Sequence, residues 1–360
     1  MAGWLDDRLS VLKAREGYRF AVEPRVSTVR VKLDANENWH ISADDLRSLI
    51  REVVEKVDVR RYPAEAVQDL SAAVAMHLQL PEECIIPTEG TDQAIDLLSQ
   101  AFLRQGDRAL IVGPTFSFYR LRAAFADAQC IEIMMNEDFS LPVDKILREA
   151  RNGGIVFICS PNNPTGNQFS SDDVLRLSDA FPGLIVLDEA YIDFAPYSLV
   201  REVMQHRNIA VLRTFSKAFG LADLRLGFIV AHPDWASLFM DRAQYPYPVS
   251  STAVAIALRL LEEFSVVKRG VESLKQERSW LIERLRQIAG LQVLDSQANF
   301  VLASLPIDAH KVHSRLVEEG IATRAIGHIL NLSNCIRVTV GTHEMNVAFL
   351  DALRKMLLDA

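Results

Sequence analysis

Short runs of Val, Ile and Leu alternate with longer amphipathic stretches between about residues 85 and 231. This alternation is typical of strand–helix–strand units, in which a strand buried on both faces has a continuous apolar sequence. The predicted strands are residues 84–86, 109–112, 155–159, 184–187, 209–212 and 226–230. Between the first two, apolar residues recur every three or four positions and predict a helix over residues 91–104. The pattern therefore predicts an α/β fold with a mostly parallel sheet flanked by helices.

The pattern changes after Pro248. The apolar stretches that follow, helical or strand-like in spacing, are residues 252–288, 291–294, 300–305, 309–319 and 336–340. Pro246 and Pro248 interrupt regular structure at the transition. We therefore expect the chain to be divided into three parts. They are an N-terminal arm with part of a small domain (1–45), a large domain (46–250) and a small C-terminal α+β domain (251–360).

Composition narrows the functional classes. The chain has 360 residues, 49% of them hydrophobic, and 39 Lys plus Arg against 47 Asp plus Glu, for a net charge of −8. This acidic balance argues against a nucleic-acid partner, because nucleic-acid-binding domains carry a basic excess. The four cysteines show no CxxC spacing, so no metal site is expected.

The N-terminus and the most apolar helix give no targeting or membrane signal. The first residues include two early acids and lack a continuous apolar run, unlike a secretory signal. The most apolar helical stretch, residues 253–261, is interrupted by Arg259 and is too short to cross a bilayer. We therefore expect a cytoplasmic protein with no membrane partner.

Four polar segments lie at or just after the predicted strands, where open α/β sheets form their sites. They are residues 89–92, 160–166, 187–191 and 213–227. In the last, Lys217 follows Thr214 and Ser216 and precedes Arg225 by eight positions (225 − 217). Taken alone, the sequence position of Lys217 predicts only an exposed surface lysine. Next to hydroxyls and a guanidinium that can bind phosphate, it indicates a phosphorylated Schiff-base cofactor.

Asp188 directly follows the predicted strand at 184–187, and Tyr191 comes three residues later. A carboxylate at the end of an apolar run is costly unless it meets a cation or hydrogen-bond donors. Asp188 could cap a helix or form an ion pair, or it could pair with a pyridine nitrogen and keep pyridoxal phosphate protonated. Tyr191 could either pack or donate to the phenolate oxygen of the same ring.

Two further segments are compatible with such a cofactor. Prolines and a glycine around Asn163 fix a turn directly after the strand at 155–159. The sequence Gly90-Thr91-Asp92 enters a helix, whose first amides suit a phosphate. Many turns and helix starts have these features without binding anything, so neither segment decides the function alone.

Together the segments resemble the fold type I pyridoxal-phosphate aminotransferases, specifically the class II histidinol-phosphate aminotransferase family. The resemblance covers nearly the whole chain. It is carried by residues 32–38 (KLDANEN), 61–63 (RYP), 90–92 (GTD), 114–116 (PTF), 160–166 (SPNNPTG), 188–191 (DEAY), 216–220 (SKAFG), 224–227 (LRLG) and 336–341 (IRVTVG). It implies a large domain with a mostly parallel sheet, a smaller α+β domain, and pyridoxal 5′-phosphate as cofactor.

The resemblance implies a role for each matching residue. The implied catalytic residues are Lys217, which attaches the cofactor and carries the proton, Asp188, which pairs with the ring nitrogen, and Tyr191. The implied phosphate ligands are Gly90, Thr91, Asp92, Thr214, Ser216, Arg225 and, from the second subunit of a homodimer, Tyr62. Phe116 is expected to stack on the ring, while Asn163 and Tyr191 are expected to hold its phenolate oxygen.

The implied substrate residues come from both ends of the chain. Arg337 is similar to the arginine that receives a substrate carboxylate in related transaminases, and Arg324 is a candidate for a substrate phosphate. Asn36 and Tyr18 belong to the N-terminal substrate segment.

Three departures from the family pattern concern the arm and the phosphate site. Trp39 and His40 follow the NEN motif where the family has Pro and a nearby Gly, and only Tyr18 remains of a Tyr-x-Pro-Gly motif. Asp223 replaces a common glycine next to the expected phosphate, where an acid is unfavourable. These changes leave the amino donor open.

The function implied is transfer of an amino group from L-histidinol phosphate to 2-oxoglutarate, giving imidazole-acetol phosphate and L-glutamate in histidine biosynthesis. One alternative is a related aminotransferase for aromatic or other amino acids, or a decarboxylase of a phosphorylated amino acid. A third hypothesis is a non-catalytic, cofactor-binding regulator. The charge of −8 and the lack of a basic helix-turn-helix region disfavour the regulator.

Overall fold

A computed structural model of the chain describes residues 3–15, 17, 29–150 and 153–358. The strands are β1 (Val31–Lys32), β2 (Ile85–Thr88), β3 (Arg108–Gly113), β4 (Gln129–Met134), β5 (Ile155–Cys159), β6 (Leu184–Asp188), β7 (Ile209–Thr214), β8 (Gly227–Ala231), β9 (Gln292–Val293), β10 (Phe300–Ser304), β11 (Ile321–Ala322), β12 (Arg324–Ile329) and β13 (Leu332–Thr339). The helices are α1 (Trp4–Ala14), α2 (Ala43–Val54), α3 (Ala66–Leu78), α4 (Gly90–Phe102), α5 (Phe118–Phe125), α6 (Val143–Glu149), α7 (Ser171–Ala180), α8 (Pro233–Arg242), α9 (Ser251–Glu262), α10 (Phe264–Arg286), α11 (Ala309–Glu318) and α12 (His343–Leu358).

The largest sheet has the strand order β2-β8-β7-β6-β5-β3-β4. Strands β3 to β7 run parallel to one another, and β8 runs antiparallel to both β7 and β2. This confirms the predicted mostly parallel sheet. The predicted strands all form, with ends that move by one or two residues. Strand β4 was missed because it is an edge strand with several exposed or half-buried side chains, so its sequence is not continuously apolar.

Both faces of this sheet are buried, which explains the apolar runs. In β5, Val156 and Ile158 pack into the hydrophobic core on one face, while Ile155 and Phe157 pack into the core on the other. Burial of each such side chain contributes about 1.5–3 kcal/mol. Because side chains alternate between the faces, every position of a central strand must be apolar.

A smaller antiparallel sheet has the order β12-β13-β10-β9. The N-terminal arm joins this part of the molecule, because β1 pairs in parallel with β11 through Val31 and Ile321. That the arm belongs to a small domain stays a prediction. The domain boundaries at 45/46 and 250/251 stay a prediction.

The helical pattern over residues 252–288 is two helices rather than one. Helix α9 ends before Glu263, whose backbone leaves helical geometry, and α10 begins at Phe264. The Phe264 ring turns towards Phe219, with ring centroids 5.8 Å apart, and towards His77 at 4.5 Å. Packing therefore overrides the local helix propensity at this point.

The sheet register brings the polar segments together. Cys159 at the end of β5 pairs with Asp188 at the end of β6, and Asp188 pairs with Leu212 near the end of β7. The segments that follow these three strands therefore begin side by side at the carboxyl edge of the sheet. Within residues 3–15, 17, 29–150 and 153–358, no helix is long and apolar enough to span a bilayer.

Candidate active site

Lys217 lies in the turn after β7, half-buried beneath the N-terminal arm. Its Nζ donates a hydrogen bond to the Ala35 carbonyl at 3.1 Å and lies 5.7 Å from the centre of the Tyr191 ring. Desolvation, and secondarily the charge of Arg337, lower the pKa of Lys217 to about 8, although Glu37 acts in the opposite direction. A substantial fraction of the amine is therefore uncharged near neutral pH and can act as a nucleophile or base.

Asp188 is 4% exposed at the end of β6. Its Oδ2 accepts a hydrogen bond from the Tyr119 hydroxyl at 2.6 Å, and its Oδ1 accepts one from the Ala190 N–H at 3.0 Å. Burial raises the pKa of Asp188 to about 6, while these two donors lower it. Two acidic neighbours, Asp92 and Glu189, add to the rise. This environment favours a cationic partner for the carboxylate.

Glu189, the residue after Asp188, forms a buried ion pair that holds the loop. Its Oε2 lies 3.0 Å from Arg213 Nη1 and accepts a hydrogen bond from the Ser198 hydroxyl at 2.6 Å. Its Oε1 accepts from the Leu199 N–H at 2.8 Å. Arg213 also reaches Asp193 at 3.3 Å. Because removing one partner would leave a buried charge, this network fixes the loop that carries Asp188 and Tyr191.

The arm contacts Tyr191 through Asn36. Asn36 Nδ2 donates to the Tyr191 hydroxyl at 3.1 Å, and Asn36 itself is buried. Its backbone N–H donates to Thr339 Oγ1 at 3.0 Å, and its carbonyl accepts from Asn299 at 2.8 Å. Its φ of 56° is left-handed, a conformation that Asn tolerates better than most residues. Asn36 therefore holds Tyr191, and its contact with a substrate stays a prediction.

The arm also contacts the turn that carries Lys217. Asn38 Nδ2 donates to the Ala218 carbonyl at 2.9 Å, and Asn38 Oδ1 accepts from the His40 N–H at 3.0 Å. The two asparagines of the NEN motif thus hold two different parts of the site. No local sequence pattern predicts this division, because each contact joins residues more than 150 positions apart.

Arg337 on β13 reaches the site from the small sheet. Its Nη1 donates to Asn163 Oδ1 at 2.7 Å, and its Nη2 donates to the Asp34 carbonyl. The guanidinium carbon lies 5.5 Å from the centre of the Phe300 ring. Arg337 is nearly buried, so its charge acts strongly on neighbouring groups.

Asn162, which sequence reasoning did not single out, anchors the turn that carries Asn163. Asn162 is fully buried. Its Nδ2 donates to the Pro114 carbonyl at 2.9 Å, and its Oδ1 accepts from the Thr115 hydroxyl at 2.7 Å. These bonds tie the turn to the loop before Phe116.

The expected phosphate ligands converge around Arg225. Its Nη2 lies 3.1 Å from Asp92 Oδ2, in the first turn of α4, and its Nη1 lies 3.5 Å from Ser216 Oγ. Thr214 Oγ1 accepts from the Ser216 N–H at 3.0 Å. Gly90, with φ of 69°, begins α4 where a Cβ would come within 2.9 Å of the Arg225 guanidinium. Thr91 follows Gly90 in the same turn.

These groups fit a phosphorylated pyridine aldehyde. The α4 amides, two hydroxyls and a guanidinium form a donor set for a phosphate dianion, and Gly90 leaves space where a side chain would intrude. The buried Asp188 suits a ring nitrogen that carries a proton. The Lys217 amine suits the aldehyde. In the part of the chain that the structure describes, no group of three or more His, Cys, Asp or Glu side chains could hold a metal ion.

Phe116 packs beside Tyr119, the residue whose hydroxyl donates to Asp188. Its ring is half-buried and meets the Tyr119 ring edge-on, with centroids 5.7 Å apart. The fully buried Tyr119 was not identified from sequence, although it lies only three positions after Phe116. Stacking of Phe116 on a cofactor ring stays a prediction.

Arg324 lies directly opposite Arg337 in the β12–β13 pairing. It is half-buried. Two arginines thus lie next to each other on the small sheet, an arrangement that favours a doubly charged anion near them. Tyr18, the other expected substrate residue of the arm, lies outside the described residues.

Tyr62 is 79% exposed and stacks on Tyr247, with ring centroids 4.8 Å apart. Val59, close to Tyr62 in sequence, and Tyr245, close to Tyr247, are also exposed. An aromatic residue presented in this way is compatible with a contact to another chain. Its entry into a second site stays a prediction.

The departures from the family pattern are accommodated locally. The Trp39 indole N–H donates to the Lys32 carbonyl at 3.1 Å. The His40 ring lies 3.0 Å from Ser273 Oγ and 2.8 Å from the Gly341 carbonyl, and so links the arm to α10 and the end of β13. Asp223 is exposed in a right-handed 3-10 turn at residues 222–224, while Arg225 takes the left-handed conformation. Asp223 therefore needs no glycine-like backbone.

Asp188→Asn should remove a pH-dependent loss of stability from the cofactor-free protein. Because burial raises the pKa of Asp188 from 3.8 to about 6, the folded chain binds this proton more tightly than the unfolded chain. The stabilisation is fully present below about pH 4 and is lost as the pH rises through 6. The shift corresponds to about 3 kcal/mol, of which about 2 kcal/mol falls between pH 4.5 and 7.5.

Urea unfolding of both proteins at pH 4.5 and 7.5 measures this effect. Relative to Asp188→Asn, the wild type should lose about 2 kcal/mol of unfolding free energy at the higher pH. Asp223→Asn, at an exposed carboxylate, controls for the change from Asp to Asn itself. A difference for Asp188→Asn that does not vary with pH would contradict the expected burial penalty.

Known proteins resemble this chain along most of its length. Residues 28–353 match the aminotransferase class I and II family. A histidinol-phosphate aminotransferase of Cytophaga hutchinsonii is 37% identical over 347 residues, which cover 95% of this chain and 96% of that protein. A histidinol-phosphate aminotransferase of Caldanaerobacter subterraneus subsp. tengcongensis is 33% identical over 330 residues, covering 91% of this chain and 93% of that protein.

A solved structure shows the same fold. The crystal structure of histidinol-phosphate aminotransferase from Sinorhizobium meliloti, in complex with pyridoxal-5′-phosphate, matches with a TM-score of 0.84 and 24% identity. The match covers 92% of this chain and 91% of that chain. It confirms the predicted fold type I architecture. The chain belongs to the pyridoxal-phosphate-dependent class I and II aminotransferases and, within them, to the histidinol-phosphate aminotransferase family.

Proposed function

We propose that the chain transfers the amino group of L-histidinol phosphate to 2-oxoglutarate in histidine biosynthesis, giving imidazole-acetol phosphate and L-glutamate. Two relatives of that name, at 33% and 37% identity, support this assignment. The structural observation that carries it is the pairing of Arg324 with Arg337 on the small sheet, because a phosphorylated donor needs adjacent positive charge. The four cysteines are free, as expected of a protein that acts in the reducing cytoplasm.

The residues that would hold pyridoxal phosphate divide by the part of the cofactor they suit. We assign the phosphate to Gly90, Thr91, Asp92, Thr214, Ser216 and Arg225. Asp188 would pair with the ring nitrogen, and Asn163 and Tyr191 would hold the phenolate oxygen. Phe116 would cover one face of the ring. This division is supported by the convergence of donors around Arg225 and by the burial of Asp188.

Bound pyridoxal phosphate supplies a carbonyl carbon that exchanges amines and a protonated ring that accepts the electron pair left when a Cα–H bond breaks. The chain supplies the base. With a pKa of about 8, Lys217 Nζ can accept the Cα proton as the neutral amine and then release it at a neighbouring carbon. Arg337 orients the carboxylate of the 2-oxo acid, and Arg324 adds a second charge when the donor carries a phosphate.

A homodimer would complete the site. Tyr62 is exposed on its own chain and is supported by Tyr247, so it is available to a second copy. We propose that its hydroxyl reaches the cofactor phosphate in the site of the partner. In a symmetric dimer, each chain would supply its Tyr62 to the site of the other chain, so both sites would be completed in the same way.

Arg324→Ala should selectively impair a phosphorylated donor. Loss of a charge-assisted contact to phosphate should lower kcat/KM for L-histidinol phosphate by about 10- to 100-fold. The same variant should change kcat/KM for unphosphorylated L-histidinol little. Arg354→Ala, at a surface arginine of α12, is the matched control. Equal losses for both donors would count against a phosphate-binding role.

Hybrid dimers test whether the site is shared. Co-expression of Lys217→Ala chains with Tyr62→Ala chains gives a dimer in which one site has both changes and the other has neither. If Tyr62 acts in trans, purified hybrids should recover about half of the wild-type turnover per dimer, while both parent homodimers stay impaired. Hybrids no more active than their parents, or light scattering that shows an active monomer, would refute the arrangement.

A further inference from the structure

Tyr119 on α5 is a buried neighbour of Asp188 and has no assigned role in the proposed amino transfer. Its ring is fully buried and stacks on Phe157, with ring centroids 5.2 Å apart and planes 14° apart. Phe116 meets the same ring edge-on at 5.7 Å. This packing fixes the ring, and its hydroxyl donates to Asp188 Oδ2 at 2.6 Å.

The hydrogen bond from Tyr119 opposes the electrostatic surroundings of Asp188. Burial, together with the acidic neighbours Asp92 and Glu189, favours the neutral carboxyl. The Cys159 thiol, opposite Asp188 in the β5–β6 pairing, is itself buried. Hydrogen bonds from Tyr119 and Ala190 act in the other direction, because they stabilise the ionised form. An O–H···O distance of 2.6 Å is in the range of charge-assisted hydrogen bonds.

We propose that Tyr119 is a positioning residue for the cofactor: its hydroxyl orients the Asp188 carboxylate and makes it less basic than burial alone would, so that the proton shared by Asp188 and the ring nitrogen stays on the nitrogen. The inference rests on the proposed pairing of Asp188 with that nitrogen. A proton between two groups favours the more basic one, and a carboxylate that already accepts the Tyr119 O–H is the weaker base. Without this hydroxyl the carboxylate competes for the proton, and the ring accepts electrons less readily.

Tyr119→Phe tests the proposal, because it removes the hydroxyl and keeps the ring. The holoenzyme is loaded with pyridoxal phosphate labelled with ¹⁵N at the ring nitrogen, and its NMR shift reports protonation. Wild type should show the shift of the protonated nitrogen, and across the titration of Tyr119→Phe the ¹⁵N shift should lie closer to that of the unprotonated ring, because Asp188 then takes a larger share of the proton. The kcat should fall about tenfold while the KM for the donor is unchanged.

Phe157→Leu is the matched control, because it loosens the packing of Tyr119 and keeps its hydroxyl. It should lower the thermal midpoint and leave the ¹⁵N titration as in wild type. A ¹⁵N titration that is the same in Tyr119→Phe and wild type would overturn the proposal. So would a Phe157→Leu titration displaced as far as that of Tyr119→Phe, because packing alone would then account for the effect.

Two further measurements separate this inference from the proposed function. If Asp188→Asn leaves the ring nitrogen protonated as in wild type, the pairing of Asp188 with the nitrogen is wrong and the inference falls with it. In the cofactor-free protein, the infrared carboxyl band of Asp188 gives its pKa directly. Tyr119→Phe should raise that pKa by about one unit, and an unchanged value would overturn the role of Tyr119 whatever the substrate is.

Discussion

Burial of the Asp188 carboxylate is the constraint on which the active site depends. The parallel sheet places this residue at the end of a strand that is apolar on both faces, so the charge loses its hydration. Hydrogen bonds from Tyr119 and Ala190 offset part of that cost. A cationic ring nitrogen would offset much of the remainder, which couples the stability of this edge of the sheet to cofactor binding. The buried pair of Glu189 and Arg213 holds the loop that follows Asp188.

Contacts from the N-terminal arm and from the small sheet also hold the residues at the carboxyl edge of the large sheet. Asn36 holds the Tyr191 hydroxyl, and Asn38 holds the carbonyl next to Lys217. Arg337 crosses from β13 to Asn163, and its positive charge helps to lower the pKa of Lys217. The residue proposed to orient the substrate carboxylate therefore also adjusts the base, so substrate binding and proton transfer are linked through a single guanidinium.

Much of this organisation could be predicted from the sequence because it depends on local patterns. The two-sided burial of β5 to β7 produces apolar runs, and a parallel sheet brings the residues that follow such runs to one edge. Contacts between distant segments could not be predicted in this way. Tyr119 has the sequence environment of an ordinary core aromatic, and only the fold places its hydroxyl on Asp188. The break between α9 and α10 likewise depends on where the Phe264 ring finds its neighbours.

Lys217 and Asp188 are proposed to act on a phosphorylated amino donor through pyridoxal phosphate. A single-turnover titration tests this claim: the holoenzyme is mixed with L-histidinol phosphate in the absence of 2-oxoglutarate, and the absorbance of the bound cofactor is followed. We expect conversion to pyridoxamine phosphate in wild type at low donor concentration, and no conversion in a folded Lys217→Ala variant. A wild-type spectrum that does not respond to this donor, or conversion that persists in Lys217→Ala, would contradict the claim.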